Sequence, residues 1–320
     1  MPPINWSLAR RVARPVAGEL PVATRAEAHA LVASLRLAAA RAGGLVVETA
    51  GLPGVPARRV IVCDRDTWAS GAGAMAGGVL DVLPMAQVGG RALRSLKAAG
   101  YGALAGMALG WVGRHILGQF DPSTSQLYLL APNILHLQRE RGFPMADLQL
   151  WVAAHEQTHA LQFSAAPWLL DYLTQRFEKV AMDEVDALEV ARNLARGQGF
   201  AAAMSSEPAG RAMQEVTAAM TLLEGHADFV SDQVGTKHIR SVRKLRAAFA
   251  RTQRPSAVAR LLPALDKDAQ YRDGLRFCRG VSARARPRGL AAAFDRPENL
   301  PTHAEITDPA AWVRRVHGTA

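Results

Sequence analysis

The chain has 320 residues, of which 49% are hydrophobic, and a formal net charge of +10 at pH 7. This composition excludes a disordered chain, because so much apolar material can bury a sizeable core. Cys63 and Cys278 lie 215 positions apart (278 minus 63), which excludes the dense disulfide framework of small secreted domains. The amino terminus, MPPINWSLARRVARPVAG, has no apolar stretch of the secretory type. We therefore expect a cytoplasmic protein.

The first predicted element is a helix from about Arg25 to Ala42. A capping-box pattern of Thr24 and Glu27 opens it, and a pair of glycines follows it. Two short β-branched runs come next, LVVETA (45–50) and RRVIVC (58–63), with a Gly/Pro-rich segment between them. This arrangement predicts a small antiparallel pair of strands.

Two helices rich in small residues are predicted next, over about 66–83 and 89–117. The segment 98–113, AAGYGALAGMALGWVG, is the most membrane-like part of the chain, but its 16 residues include five glycines and fall short of the ~20 apolar residues that a membrane span needs. It predicts a buried helix with small residues at close contacts. QLYLLA (126–131) predicts a further strand, either inside the core or at a sheet edge that binds an extended peptide.

From residue 135 onward nearly every segment has helical periodicity, and no internal repeat is evident. The elements together predict a mainly α fold with a small β-sheet, of the α+β class, in a single domain over residues 1–320. A subdivision is also compatible with them, into a helical and small-sheet part (1–120) and a helical part (121–320) that carries the metal motif.

A helical run, LQLWVAAHEQTHALQF (148–163), contains the pattern HExxH. His155 and His159 stand four residues apart and therefore share one face of the helix, where both ring nitrogens can meet one metal ion. Glu156 is placed to contact a water on that metal, as a general base must. The alternative is a surface helix with two solvated histidines, which the apolar context disfavours.

A catalytic zinc ion has three protein ligands and an open position for water, so one more donor is needed. Glu224 supplies it from a second helical run, AMQEVTAAMTLLEGHADFVSDQV (212–234). Asp228 lies one turn later, where it can accept the second ring N–H of a liganding histidine, His155 by preference. His226 is about 200° around the helix from Glu224 and is predicted to be a core or surface histidine.

A hydrolytic transition state also needs a hydrogen-bond donor for the developing oxyanion. Tyr172, Tyr271 and His303 are the candidates for this role. The residues alone do not choose among them.

One segment, KHIRSVRKLRAAFARTQRPSAVAR (237–260), carries eight Lys or Arg residues and no acidic residue. Ile239, Val242, Leu245 and Phe249 give it an apolar side. Such a segment is typical of a helix that packs on the core with a solvated outer face, and also of one that binds anionic lipid or nucleic acid. Nothing else in the sequence points firmly to a membrane or nucleic-acid partner, so it is a weak candidate for an anionic partner.

The chain resembles the HExxH zincin family of actinobacteria and their relatives, whose members are labelled zinc-dependent metalloproteases or coenzyme F420 biosynthesis-associated proteins. The similarity runs through nearly the whole chain, in INWSLARRVARPVA (4–17), ILGQFDPSTSQLYLLAPNI (116–134), LWVAAHEQTHALQFSAAPWLLDYL (150–173), TLLEGHADFV (221–230) and LPTHAEITDPAAWVRRV (300–316). The resemblance implies a largely helical zincin-like fold, zinc ligands at His155, His159 and Glu224, and a catalytic glutamate at Glu156. The cofactor label looks like one of genomic association, so it implies no deazaflavin chemistry here.

The leading interpretation is a gluzincin-like zinc metallopeptidase, in which Glu156 is the general base for a zinc-activated water and the substrate is a peptide or protein. The first alternative is a metal-stabilised binding or scaffold protein without catalysis, in which zinc ties two helices together. The second is a protein that binds anionic lipid or nucleic acid through residues 237–260.

Overall fold

The computed structural model describes residues 4–81, 91–181, 206–251, 267–285 and 287–318. In these residues the helices are α1 (Trp6–Val16), α2 (Arg25–Ala50), α3 (Arg65–Asp81), α4 (Arg91–His115), α5 (Ala131–Arg141), α6 (Met145–Ala165), α7 (Leu169–Ala181), α8 (Glu207–His238), α9 (Val242–Arg251), α10 (Lys267–Ala285), α11 (His303–Thr307) and α12 (Pro309–His317). The strands are β1 (Arg59–Cys63), β2 (Gly118–Asp121) and β3 (Gln126–Leu130), and two 3-10 helices cover Pro287–Phe294 and Pro297–Asn299.

The sheet has the strand order β1-β3-β2, with β3 in the middle. β1 runs parallel to β3, with Arg59 opposite Gln126 and Cys63 opposite Leu130, whereas β2 is antiparallel to β3. A parallel pair needs a long crossover connection, and the stretch that contains α3 and α4 provides it. The fold-class prediction is confirmed, because the protein is mainly helical with a small three-stranded mixed sheet.

The predicted antiparallel pair of strands is wrong. The run 58–63 does contain β1, but its partner is β3 in parallel and not 45–50 in antiparallel. The strand predicted at 126–131 is confirmed as β3, and of its two alternatives the core strand is correct and the sheet edge is wrong, because β1 and β2 pair with its two sides. β2 has no counterpart among the predicted strands; the turn from β2 to β3 is closed by Asp121, whose Oδ1 accepts from the N–H of Ser123 at 2.9 Å.

Residues 45–50 are helical because α2 continues past the predicted glycine stop as far as Ala50. Six residues of α2 are buried with the three- or four-residue spacing of one helix face: Leu31, Leu35, Ala39, Ala42, Val46 and Ala50. This continuous buried stripe outweighs the strand propensity of the valines. The chain turns only at Gly51, whose φ of +67° is easy for glycine. α2 is long and apolar enough to cross a membrane, but many core helices of water-soluble proteins meet the same criterion of length and composition.

The chain divides into two compact units, and unit 1 consists of Met1–Ala42 and Ala57–Gln157. Its sheet and helices share a core around Trp68. α1 packs along α4 at a row of glycines, where a Cβ on Gly106 would lie only 2.7 Å from the Cβ of Val12. The predicted close contacts of small residues in α4 are therefore confirmed, but α4 is buried on that side only and its opposite face is exposed.

Unit 2 consists of Gly43–Pro56 and Thr158–Ala320. In it α8 packs on α10, and Gly225 faces Gly274 so closely that a Cβ on either residue would overlap the backbone of the other helix. Trp312 closes this core, with its ring edge-on to Phe277 and its Nε1 donating to the carbonyl of Asn299 at 2.8 Å. The prediction of a single domain, with a compatible subdivision at residue 120, remains a prediction.

Candidate metal centre

α6 carries both predicted histidines and is buried on nearly every side. Buried polar groups need hydrogen-bond partners, and Gln157 finds them on neighbouring backbone. Its Oε1 accepts from the N–H of Ala57 at 2.8 Å, and its Nε2 donates to the carbonyl of Ala39 at 3.1 Å. These contacts help to fix the rotation of α6 about its axis, and they leave His155 and His159 together on another side of the helix.

The structure brings the three predicted metal ligands together. His155 and His159 lie one turn apart on α6, and Glu224 comes from the middle of α8, where Thr221–Asp228 is buried throughout. One ligand atom from each of the three residues lies within 4.8 Å of the other two. Nε2 of His159 lies 3.6 Å from Oε2 of Glu224. The three side chains therefore form a compact cluster of two nitrogens and one oxygen.

This cluster fits a divalent metal ion. Two ligand atoms bound to one zinc ion at tetrahedral angles lie about 3.3 Å apart, close to the 3.6 Å between His159 and Glu224. A buried carboxylate is costly to ionise unless a cation lies near it, and a metal held together with two imidazoles supplies that cation. Two histidines and one carboxylate also leave room for the open position of a catalytic site.

Gln162, three residues after His159, fixes the proton on the ring of this histidine. Its Nε2 donates to the carbonyl oxygen of Leu223 at 2.9 Å, and because a carbonyl can only accept, the amide orientation is set. Its Oε1 therefore lies 2.9 Å from Nδ1 of His159 and accepts the proton there. Nε2 of His159 then keeps its lone pair on the side of Glu224, which is the tautomer that a metal ligand requires.

His226 is a core histidine, as predicted. It is 2% exposed, its ring packs on Phe294 with 5.1 Å between centroids, and its Nδ1 lies 3.0 Å from Nε2 of Gln162. Burial, followed by the proximity of His159, lowers the pKa of His226 to about 3. The ring is therefore neutral and can accept the second hydrogen of the Gln162 amide. This hydrogen bond helps to hold Gln162 in the orientation in which its oxygen faces His159.

The predicted general base, Glu156, is buried and lies against β2. A Cβ added to Gly118, the first residue of β2, would lie 2.7 Å from Cγ and 2.9 Å from Cδ of Glu156. The strand backbone therefore forms a wall directly beside the carboxyl group. A side chain at position 118 would have to displace it.

Residues 4–313 match the pattern of a protein family described as zincin-like metallopeptidase. The chain belongs to this zincin-like family. A solved structure from Chloroflexus aurantiacus, described as a "putative hydrolase with a novel fold", is similar to it with 26% identity and a TM-score of 0.72, and the match covers 99% of this chain and 100% of that one. No curated protein sequence is similar enough to count as a match. The resemblance drawn from the sequence is thus confirmed at the level of the zincin-like family.

Asp228 of this zincin-like chain lies in α8, one turn after Glu224, and is buried. Its Oδ2 accepts from Nη1 of Arg246 at 2.7 Å, and the same guanidinium donates to Asp232 at 2.6 Å. Burial acts to lower the pKa of Arg246, but the two carboxylates outweigh it and raise that pKa. The predicted hydrogen bond from His155 to Asp228 remains a prediction, and the observed partner ties α8 to α9.

The three candidate donors for the oxyanion lie in different elements of the zincin-like fold. Tyr172, in α7, has its ring under the guanidinium of Arg176 at 3.6 Å, and burial raises the pKa of its phenol. His303 begins α11 and is exposed. Tyr271 lies in α10, with its side chain outside the described atoms. The donor role of these residues remains a prediction.

The basic segment 237–260 is described as far as residue 251. It contains the end of α8 and all of α9, and within it Arg246 points inward to its two aspartates. Lys237, Arg240, Arg243 and Lys244 are exposed. The segment thus packs on the protein with one side and has a solvated cationic surface on the other, and its anionic partner remains a prediction.

Proposed function

We propose that this protein is a zinc-dependent peptidase, with the ion held by His155, His159 and Glu224 and with Glu156 as the general base. The observation that carries this proposal is the convergence of the three ligand atoms within 4.8 Å, two of them from the helix that also bears Glu156. When bound there, a zinc ion would polarise the scissile carbonyl and lower the pKa of a coordinated water toward about 7.

The chain's own residues supply the remaining chemistry. Glu156 follows His155 directly on α6, so its carboxylate can take a proton from the attacking water and later give it to the leaving amine. Gly118 holds this carboxylate from the side of β2, which reduces the orientations open to it. Gln162 keeps Nδ1 of His159 protonated and Nε2 available to the metal.

The sheet supports a peptide as the substrate. β3 is paired on both sides, while β1 and β2 each pair with β3 alone among the described strands. An extended peptide could add to the outer edge of β2 through main-chain hydrogen bonds. Because Gly118 begins β2 and adjoins Glu156, a peptide bound at this edge would pass close to the general base.

The burial of the site supports a second candidate. All three ligand side chains and Glu156 are largely buried, as expected for a metal that ties α6 to α8 in a binding or scaffold protein without catalysis. In that case zinc would raise the stability of the fold. Glu156→Gln would then leave zinc binding unchanged, and neither protein would cleave a peptide.

The experiment has two stages. Zinc per chain is measured by elemental analysis for wild type, His155→Ala, Glu224→Ala and Glu156→Gln, with His136→Ala as the control because this histidine is exposed on α5. We expect one zinc per chain in wild type, Glu156→Gln and the control, and loss in the two ligand variants. The loaded proteins are then offered a diverse peptide library.

Cleavage by wild type that falls at least about 100-fold in Glu156→Gln would support the peptidase. Zinc binding without cleavage of any peptide would favour the scaffold. Absence of zinc from wild type would overturn both candidates, and cleavage that survives Glu156→Gln would overturn the role of Glu156.

A further inference from the structure

The outward face of α4 is apolar and open to solvent. Leu104, Met107 and Trp111 follow one another at intervals of three and four residues and are 59%, 46% and 54% exposed. Leu96 extends the row toward the start of the helix and is 71% exposed. We call these four residues the α4 stripe. Large apolar side chains that line up on one helix face and remain exposed mark a surface that binds something.

The orientation of α4 is fixed by the packing on its other side. Gly106 and Gly110 face α1, and a Cβ on either would lie within 3 Å of the Cβ of Val12 or Val16. A third glycine, Gly102, faces the backbone of Asn5 in the same way. Only the glycine face of α4 can approach α1 this closely, so the α4 stripe cannot rotate into the protein without breaking this contact.

The charged residues of α1 and α4 all have one sign. Neither α1 nor α4 contains an acidic residue. Lys97 and Arg114 are exposed near the two ends of the stripe, and Arg10 and Arg11 are exposed on α1, which lies alongside α4. His115 is also at this end of α4 and packs on the ring of Trp111 with 4.8 Å between centroids. The cations of α1 and α4 thus form a cationic border to this tryptophan-containing apolar row, and Asp66 of the neighbouring α3 is ion-paired with Arg14 of α1 at 3.4 Å.

We propose that the α4 stripe and its cationic border dock this protein on the surface of an anionic lipid bilayer. A helix that has apolar side chains including Trp on one side and Lys or Arg around them lies in the plane of the interface, with the apolar side chains among the acyl chains and the cations at the headgroups. The apolar part of α4 has 16 residues with five glycines, so the helix lies on the bilayer and does not span it.

The charge pattern favours lipid over the other occupants. A second copy of the chain would bring the same cationic border, on a protein of formal charge +10, against itself. A nucleic acid would match the cations, but its phosphate backbone offers no apolar partner for leucine and methionine. An anionic bilayer satisfies the charges and the apolar row together.

The test is co-sedimentation of the full-length protein with vesicles. Equimolar phosphatidylglycerol and phosphatidylcholine vesicles are compared with pure phosphatidylcholine vesicles, each at low and high salt. One variant, Met107→Gln with Trp111→Gln, removes the apolar row, and another, Lys97→Glu with Arg114→Glu, reverses the border. Leu37→Gln is the matched control, because Leu37 is 73% exposed on α2 and lies outside the stripe. All these side chains are on the surface, so the fold is expected to survive, and thermal melting verifies this.

Wild type and Leu37→Gln should bind the anionic vesicles, and this binding should decrease at high salt. Both proteins should bind the neutral vesicles weakly or not at all. Each α4 variant should have a partition constant about tenfold lower than that of wild type, and therefore a smaller bound fraction at the same lipid concentration. No binding by wild type, equal binding to neutral vesicles, or α4 variants that bind like wild type would overturn the proposal. Two other outcomes would also overturn it. If wild type forms a concentration-dependent dimer and does not bind lipid, and the α4 variants lose this dimer, the stripe binds a second copy of the chain. If wild type binds nucleic acid and not lipid, and the same variants lose that binding, the stripe binds nucleic acid. These results do not depend on the metal site.

Discussion

Oε1 of Gln162 accepts the Nδ1 proton of His159 at 2.9 Å. The same amide donates at its other end to the carbonyl of Leu223, the residue before Glu224. One side chain of α6 therefore orients a histidine of the candidate metal centre and also holds the backbone beside Glu224. The geometry of the cluster therefore depends on Gln162, although its amide is not one of the three candidate ligands.

Substituting Gln162→Leu should weaken metal binding without removing a ligand. Leucine fills a similar volume but cannot accept from His159, so the imidazole loses the hydrogen bond that fixes its tautomer. Loss of such an outer partner typically costs 10- to 100-fold in metal affinity, and we expect a rise of about that size in the zinc Kd, measured by competition with a chelator of known affinity.

Gln149→Leu is the control for this change. Gln149 is also a buried amide on α6, but its Nε2 donates to Oγ of Ser34 at 2.8 Å, and it lies about 15 Å along the helix from His159. This variant should lower Tm to a similar degree and leave the zinc Kd unchanged. Equal zinc affinities in Gln162→Leu and Gln149→Leu would show that Gln162 is only a packing residue.

Substituting Gly118→Ala should lower turnover while zinc remains bound. The new Cβ would lie 2.7 Å from Cγ of Glu156, and because a glutamate side chain moves more easily than strand backbone, the carboxylate should swing away from its position. A displaced general base should reduce kcat about tenfold or more. The measurement is kcat and KM for a peptide found in the library screen, together with zinc content.

Gly44→Ala is the matched glycine control, because a Cβ at this exposed position of α2 meets no atom within 4 Å. It should keep the wild-type kcat and slightly raise Tm, since alanine is favoured over glycine within a helix. If Gly118→Ala turned over substrate at the wild-type rate with full zinc content, the contact between β2 and Glu156 would have no catalytic consequence.

The cluster of His155, His159 and Glu224 could be predicted from sequence because metal chemistry restricts both residue type and spacing. His155 and His159 had to be four residues apart on one helix, and the only local information needed was the helix itself. Glu224 required a second helix with an acid in an apolar setting, which the sequence also displays. The role of Gln162 could not be predicted in this way, because it depends on where α8 places the carbonyl of Leu223.

The errors in the predicted fold have a similar origin. The glycine pair after Ala42 is a common helix stop, yet the helix continues because Val46 and Ala50 extend its buried stripe. β2 is four residues long and contains a glycine, so it has almost no local signal, and it exists because β3 offers it an edge to pair with. Since Gly118 belongs to that strand, the wall beside Glu156 could not be inferred before the sheet was known.

Substituting Gly274→Ala should destabilise unit 2 and weaken zinc binding, although Gly274 binds no metal. A Cβ there would overlap the carbonyl of Thr221 and the backbone of Gly225 in α8, and backbone cannot move aside as a side chain can. Overpacking against backbone lies at the upper end of the usual range, about 3 kcal/mol, which corresponds to a fall in Tm of roughly 6 to 10 °C. Glu224 adjoins Gly225, so the zinc Kd should rise as well.

Gly210→Ala provides the comparison within α8, because a Cβ at Gly210 meets no atom within 4 Å. It should leave Tm and the zinc Kd at or slightly better than the wild-type values. A Gly274→Ala protein with an unchanged Tm in thermal melting would mean that the two helices can separate at this point without loss, contrary to the tight contact described above.

The carboxylate of Glu305 should make stability depend on pH in the acid range. It accepts from Arg315 at 2.7 and 2.8 Å and from the N–H of Thr302 at 2.9 Å. Burial acts to raise the pKa of Glu305, but the hydrogen bonds from Arg315 and Thr302 outweigh it and the pKa is lowered below its ordinary value of 4.5. A lowered folded-state pKa contributes stability that is fully present above 4.5 and is lost as the pH falls through the folded value.

The prediction is tested by the difference in Tm between wild type and Glu305→Gln across this range. The amide cannot form the charged pair with Arg315, so wild type should melt at the higher temperature near neutral pH, and the difference should shrink once the pH falls below 4.5. Glu298→Gln is the control, because Glu298 is exposed and only its backbone carbonyl accepts from Arg315. A Tm difference for Glu305→Gln that stayed constant from neutral to acid pH would show that its loss acts through packing and not through the charge of the carboxylate.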